Sequence, residues 1–302
     1  MGDMSSPQCY LNGRWLSARE LSIPLDDLGF QLGVTIVERL RTFGGEPFRV
    51  AEHVRRLRRS LEIVGWEPER IADEVESLIH EFTSRNARLI APGDDWAIVA
   101  FVTPGNSYDA RRPVVCVHGF PLPFASWVEQ FATGVAGVIV DVRQTPTNCW
   151  PAELKCRSRM HYYLADREAA RRQPEARAVL LDQHGFVSEA TTANVVAWYA
   201  DRGLVTPRLD GVLPGISQQV LFELADELGI ARSEADLTPD EFAAADEAYF
   251  TSTSICMLPL VSLAGRPLGA GCPGPTFAKL LAAWSQRVGV DIAEQARRFA
   301  AR

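Results

Sequence analysis

The chain has 302 residues, a formal net charge of −7, 47% apolar residues and 23% charged residues. This composition excludes a disordered chain and a collagen-like or coiled-coil rod, and the negative balance argues against a broad phosphodiester-binding surface, so nucleic acid is not an expected partner. The opening stretch Met1–Gln8 is polar and no run approaches ~18 uninterrupted apolar residues, so neither a signal peptide nor a membrane span is expected.

Six cysteines (Cys9, Cys116, Cys149, Cys156, Cys256, Cys272) are scattered without a C-x-x-C pair. That spacing argues against a metal site or a disulfide framework and fits a reducing cytoplasm. Among 31 basic residues only Lys155 and Lys279 are lysines. A coding bias accounts for the arginine excess. A lysine that persists against it is still a candidate for an amine that must lose its proton, which a guanidinium cannot do.

In chain order, Cys9–Leu11 and Arg14–Leu16 around Asn12-Gly13 predict a hairpin. Val34–Phe43 reads as a strand. Val50, Val54, Leu57, Leu61 and Val64 recur at helical spacing up to Gly65, and a second helix is expected over Glu69–Asn86. Strands at Trp96–Thr103 and Pro113–Gly119 complete an α+β domain over residues 1–119. Two prolines in Phe120–Phe124 place a linker at 120–127, and a larger domain is expected over 128–302. There, Val135–Val142 reads as a strand, and a polar loop delivers Lys155 to the start of a helix reaching about Arg172. Ala178–Leu181 and Phe186–Tyr199 read as strands, Pro214–Leu228 as a helix, Thr238–Glu241 as a capping box, Glu247–Thr251 as a strand and Pro275–Val288 as a closing helix. Mixing without strict βαβ alternation favours α+β over a doubly wound sheet.

Five features carry chemistry. Lys155, among Arg157 and Arg159, has the setting of a Schiff-base lysine, although by itself such a lysine is more often a surface cation. Glu189 lies in a run that alternates with apolar residues, and a buried carboxylate needs a partner: an arginine, or the protonated nitrogen of a pyridine ring. Gly215-Ile216-Ser217 at a helix start and Thr251-Ser252-Thr253-Ser254 at a strand end each offer phosphate-sized sets of donors, as ordinary caps and turns also do. On the first helix, His53, Arg56 and Ser60 form one stripe beside the apolar one. That places Arg56 at the core edge as a fixed cation for a phosphate, and leaves Arg55, Arg58 and Arg59 on a solvated face.

These residues, in this order, resemble the class IV (fold-type IV) pyridoxal-phosphate enzymes: branched-chain amino acid aminotransferases, D-amino acid aminotransferases and aminodeoxychorismate lyases. The likeness covers nearly the whole chain, from Tyr10-Leu11-Asn12-Gly13 through Gly33 and Glu38–Arg41, the arginine helix, Lys155, Ser188-Glu189-Ala190 and Asn194-Val195 to Leu213–Ser217 and Thr251–Thr253. It implies a two-domain α+β subunit with pyridoxal 5'-phosphate at the domain interface, in a homodimer. It assigns Lys155 as the catalytic amine and Glu189 to the ring nitrogen. Arg56, Ile216, Ser217 and Thr253 go to the phosphate, and Glu38, Arg41 and Ser254 to the substrate. A tyrosine usual in branched-chain enzymes five residues after the lysine is Met160 here. Arg159 takes over its contact with the cofactor, or else that region is ordinary helix packing. Arg39 stands where the lyases carry a threonine, which weighs against a lyase.

The expected activity is transfer of an amino group between an aliphatic, branched-chain-type amino acid and a 2-oxo acid such as 2-oxoglutarate. Release of 4-aminobenzoate and pyruvate from aminodeoxychorismate is the alternative. D-amino acid transfer and a non-catalytic ligand-binding homologue are further readings.

Overall fold

The computed structural model describes residues 6–301, so most of the polar opening Met1–Gln8 lies outside the described residues. The chain divides into two compact units, Met1–Leu122 with Glu153–Ser158, and Pro123–Ala152 with Arg159–Arg302. The division at Leu122 falls inside the stretch read as a linker. The short return segment carrying Lys155 is the difference from a simple two-part chain: it pairs with a strand of the first unit.

In the first unit, β1 (Gln8–Leu11), β2 (Arg14–Ser17), β3 (Ile36–Phe43), β4 (Glu46–Pro47), β5 (Trp96–Thr103) and β6 (Val114–Pro121) form an antiparallel sheet in the order β2-β1-β6-β5-β3-β4. The expected hairpin turns at Asn12-Gly13, both with positive φ (44° and 82°), as a two-residue turn between twisted strands requires. A helical turn, α1 (Leu28–Gln31), is capped by the Asp27 carboxylate, which accepts from the Gly29 N–H at 2.7 Å. Helices α2 (Val50–Val64) and α3 (Pro68–Asn86) bury Val54, Leu57, Leu61, Ile71, Val75, Ile79 and Phe82 in one core with Ile36, Leu40, Ile98, Ala100 and Val117 of the sheet. The alternation of the strands explains the selection, since residues two apart share a face.

The second unit is built on α4 (Gln130–Thr133), β7 (Val135–Arg143), α5 (Met160–Arg172), β8 (Arg177–Leu181), β9 (Val187–Ala190), β10 (Ala193–Tyr199), β11 (Gly203–Thr206), α6 (Ile216–Glu227), β12 (Arg232–Glu234), α7 (Pro239–Ala243), β13 (Glu247–Ser252), β14 (Cys256–Leu263), β15 (Arg266–Pro267), α8 (Pro275–Val288) and α9 (Ile292–Phe299). Strands β10, β13, β14, β7, β8 and β9 follow one another and close into a ring, because β9 also pairs with β10; β11 and β12 extend from β10, and β15 from β14. The run Phe186–Tyr199, read as one strand, is instead a hairpin. It turns at Thr191-Thr192, so that Ala190 faces Ala193 and Glu189 faces Asn194. Helix α5 begins at Met160, five residues later than Lys155. The capping box at Thr238 forms in full. Among the described residues no helix is long and apolar enough to cross a membrane.

Candidate active site

The stripe His53, Arg56, Ser60 faces the sheet and all three residues are buried. Arg56 makes a two-pronged ion pair with Glu38 of β3: Nε donates to Oε1 at 2.7 Å and Nη2 to Oε2 at 2.8 Å. His53 Nδ1 lies 2.8 Å from Glu38 Oε2. Burial alone would raise the Glu38 carboxyl, but the Arg56 charge and hydrogen bonds, joined by His53, outweigh it and hold the carboxylate well below its usual range. Burial lowers His53 against the pull of Glu38, and the Arg56 and Lys155 charges add to the lowering, so the ring is neutral near pH 7. The forked pairing fixes the guanidinium plane, the pre-organisation that a phosphate contact requires.

Lys155 is anchored through its main chain rather than by helix formation. Its N–H donates to Ser60 Oγ at 3.1 Å and its carbonyl accepts from the Val37 N–H at 3.0 Å. Cys156 bridges Ile36 in antiparallel fashion, the Arg157 N–H donates to the Thr35 carbonyl at 2.9 Å, and Ser158 Oγ donates to the Gly33 carbonyl at 2.8 Å. Arg59, expected on a solvated face, reaches Glu153 with Nε at 2.8 Å and Nη2 at 2.7 Å and so tethers the incoming end of the same segment. Lys279 lies exposed within α8.

In the second unit Glu189 is 4% exposed and is gripped from three elements. The Tyr162 hydroxyl of α5 donates to Oε1 at 2.6 Å, Gln144 Nε2, just after β7, makes a very short contact with the same oxygen, and the Leu213 N–H donates to Oε2 at 3.3 Å. Burial and the adjacent Glu189 charge raise the Tyr162 hydroxyl well above the ordinary phenol value, so it remains a proton donor.

Asn194 ties this carboxylate to the two sets of candidate phosphate donors. It pairs with Glu189 on one side and Thr251 on the other, and its Nδ2 donates to the Leu213 carbonyl at 2.8 Å. A Cβ on Gly215 would lie 2.0 Å from Asn194 Oδ1, so only glycine permits this approach. Gly215 caps α6, whose first residues Ile216 and Ser217 are buried and whose leading N–H groups have no intrahelical acceptor. Thr253 and Ser254 lie in the turn between β13 and β14. Thr251 Oγ1 and Ser188 Oγ are buried without a hydrogen-bond partner, an expensive state that a polar ligand would relieve.

Glu38 and Arg41, which the resemblance assigns to the substrate, are both buried. Glu38 is occupied by Arg56 and His53. Arg41 is 2% exposed, lies 3.9 Å over the Phe43 ring, donates from Nε to the Thr42 carbonyl and pairs with Asp95 at 3.4 Å. Three residues apart on β3, the two lie on opposite faces of the sheet, and both are buried. Arg159 precedes α5, where its charge acts on His161 and Tyr162, and Met160 is 70% exposed. Tyr162, Gln144 and the glutamate behind Arg56 carry no motif that pattern reading could flag as a network. The pair Tyr162-Tyr163 after Lys155 is the only hint.

The amino-transferase class IV family model matches residues 35–263, and the chain belongs to that family. Its enzymes use pyridoxal 5'-phosphate. D-alanine aminotransferase of Bacillus licheniformis is 28% identical over 272 residues, covering 87% of this chain and 91% of that protein. Aminodeoxychorismate lyase of Bacillus subtilis (strain 168) is 26% identical over 269 residues, covering 84% and 86%. The solved branched-chain amino acid aminotransferase of T.th., complexed with N-(5'-phosphopyridoxyl)-L-glutamate, superposes with a TM-score of 0.82 at 22% identity, covering 94% of this chain and 95% of that one. At that identity the superposition establishes a shared fold. Within each unit the residues suit the cofactor: in the first, the amine of Lys155 and the fixed guanidinium of Arg56; in the second, the buried carboxylate of Glu189, the glycine approach at Gly215 and the orphaned Thr251 hydroxyl.

Proposed function

We propose that this chain is an aminotransferase that moves an amino group between an aliphatic, branched-chain-type amino acid and a 2-oxo acid such as 2-oxoglutarate. The observation that carries the reading is the anchoring of Lys155: main-chain bonds to Ser60, Val37 and Thr35 hold the segment of a deprotonatable amine beside β3 and α2. Pyridoxal 5'-phosphate, when bound, supplies an electron-accepting ring that lets the substrate Cα lose a proton.

The chain's own residues do the rest. Lys155 would hold the cofactor through its amine and, as a neutral amine, would be the group that moves a proton at the substrate Cα. Arg56, held by Glu38, Ile216 and Ser217 at the start of α6, and Thr253 bind the phosphate. Glu189 would face the ring nitrogen and favour its protonated form. Ser254 and Arg159 are assigned to the substrate carboxylate and to the cofactor's phenolic oxygen, whereas the burial of Glu38 and Arg41 suits them to positioning rather than substrate contact.

The test is a visible spectrum of the purified protein, borohydride trapping, and a donor panel with both enantiomers of each amino acid. Both enantiomers are needed because the relatives include a protein named for D-alanine. Amino transfer to 2-oxoglutarate without pyruvate release is expected, and pyruvate with 4-aminobenzoate from aminodeoxychorismate would establish the lyase instead. Arg39 on β3, in place of the lyase threonine, favours transfer. Lys155→Ala should abolish visible absorption and lower turnover by about 10³-fold or more; a variant that still forms a reducible adduct would remove Lys155 from the role.

The same reading includes a homodimer. Leu25, Phe30, Leu32 and Tyr108 of the first unit and Met160, Tyr163 and Leu164 of the second are large apolar side chains left exposed, with Tyr108 at 81%. Where such side chains form a contiguous patch they mark an interaction surface. Light scattering should give twice the 33.3 kDa chain mass, and a single-chain mass rejects this part.

A further inference from the structure

We propose that Tyr162 and Gln144 are positioning residues that set the charge and orientation of Glu189 toward the ring nitrogen of the cofactor. This rests on the reading above, that the chain binds pyridoxal 5'-phosphate with Glu189 at that nitrogen.

The orientation of the Gln144 amide is determined by its neighbours. Its Oε1 accepts from the Thr145 N–H at 3.2 Å and faces His161 Nε2 at 3.1 Å. Nε2 is therefore the end that meets the Tyr162 hydroxyl, at 3.2 Å, and Glu189 Oε1. A hydroxyl has one proton to give; by accepting from Gln144, Tyr162 is left to donate its own to Glu189 Oε1, at 2.6 Å. The ring is steadied by His161, whose centroid lies 4.1 Å away, and Gln144 by its N–H, which donates to the Leu181 carbonyl at 2.9 Å.

Two donors converging on one carboxylate oxygen stabilise the ionised form of Glu189. A stabilised carboxylate takes up a proton less readily, so the proton of the pair stays on the ring nitrogen, where it makes the ring a stronger electron acceptor. The same grip from α5, the end of β7 and Leu213 keeps the carboxylate from rotating. Neither residue need touch the cofactor. Both act through Glu189.

The discriminating probe is the 1-deaza analogue of pyridoxal 5'-phosphate, in which C–H replaces the ring nitrogen. The apo forms of the wild type, Tyr162→Phe and Gln144→Leu are titrated with each compound and binding is followed by absorption. Tyr162→Phe should weaken the natural cofactor about tenfold, the scale of a hydrogen bond to a charged group, while its affinity for the analogue changes less than about twofold on the same scale. In the loaded enzyme kcat should fall with little change in KM.

Equal losses for both compounds would show a structural role and overturn the proposal, as would no loss for either. If Tyr162→Phe does not fold, Gln144→Leu is required to give the same asymmetry. A wild-type protein that binds neither compound would overturn the proposed function itself, and this inference with it, which is a different result from binding without asymmetry.

Discussion

Each unit of the molecule buries a glutamate, and the two are handled in different ways. Glu38 in the first unit meets the cation Arg56 and the ring of His53. Glu189 in the second accepts from a phenol, an amide and a main-chain N–H. An ion pair consumes the charge of its carboxylate and in return immobilises the arginine. Neutral donors stabilise a carboxylate while leaving its negative charge to act on a cation. On the proposed reading, the same residue type is a clamp at Glu38 and an electrostatic partner at Glu189.

Isosteric amides break this comparison most sharply. Glu38→Gln takes the forked carboxylate from a buried arginine and should cost about 3 kcal/mol of stability, in line with breaking a buried pair by removing one partner. Glu189→Gln leaves the neutral donors an oxygen to bind and should cost about 1 kcal/mol, while lowering turnover far more than Glu38→Gln does per unit of stability lost. Denaturant unfolding of both variants with cofactor absent measures the contrast. Equal costs would mean that the two carboxylates are not used differently.

A smaller effect sharpens the comparison through a titrating group that has no carboxylate to support it. His118 on β6 is lowered to about 4 by burial, with the Arg157 and Arg39 charges adding to it. Its folded value lies below the unfolded one of about 6.5, so the unfolded chain binds the proton first. Its contribution to stability is therefore full above pH ~6.5 and is lost as pH falls toward 4. Partial exposure reduces the effect to about 2 kcal/mol. His118→Gln should flatten the acid limb of a stability profile between pH 6.5 and 4. Glu38, also held low, contributes its loss only below its ordinary carboxylate range, so an unchanged slope above that range would assign the limb to other groups.

Much of this is legible from local rules. Helix α2 starts at Val50 and stops at Gly65 as its apolar spacing and its glycine indicate, and the Thr238 box and the Asn12-Gly13 turn form where short-range chemistry places them. The tight turn at Thr191-Thr192 is not legible, because two threonines with β-branched side chains continue a strand pattern; only pairing of Glu189 with Asn194 shows the reversal. Strand β14 is likewise hidden, since Cys256–Leu263 is apolar on both faces and has no period to read.

For the site, the sequence by itself determined which side chains have the required chemistry. A single lysine lies among arginines, a carboxylate among apolar residues, and a glycine precedes a helix start, and those properties belong to the residues wherever they sit. The tertiary structure alone decided their partners. Glu38 meets Arg56 across a sheet-helix contact and Tyr162 meets Glu189 from 27 residues away. Lys155 is anchored because its segment returns to pair with β3. Such contacts depend on the register of strands and the packing of helices, which are set by burial summed over whole elements, and no local pattern encodes which polar groups end up facing each other.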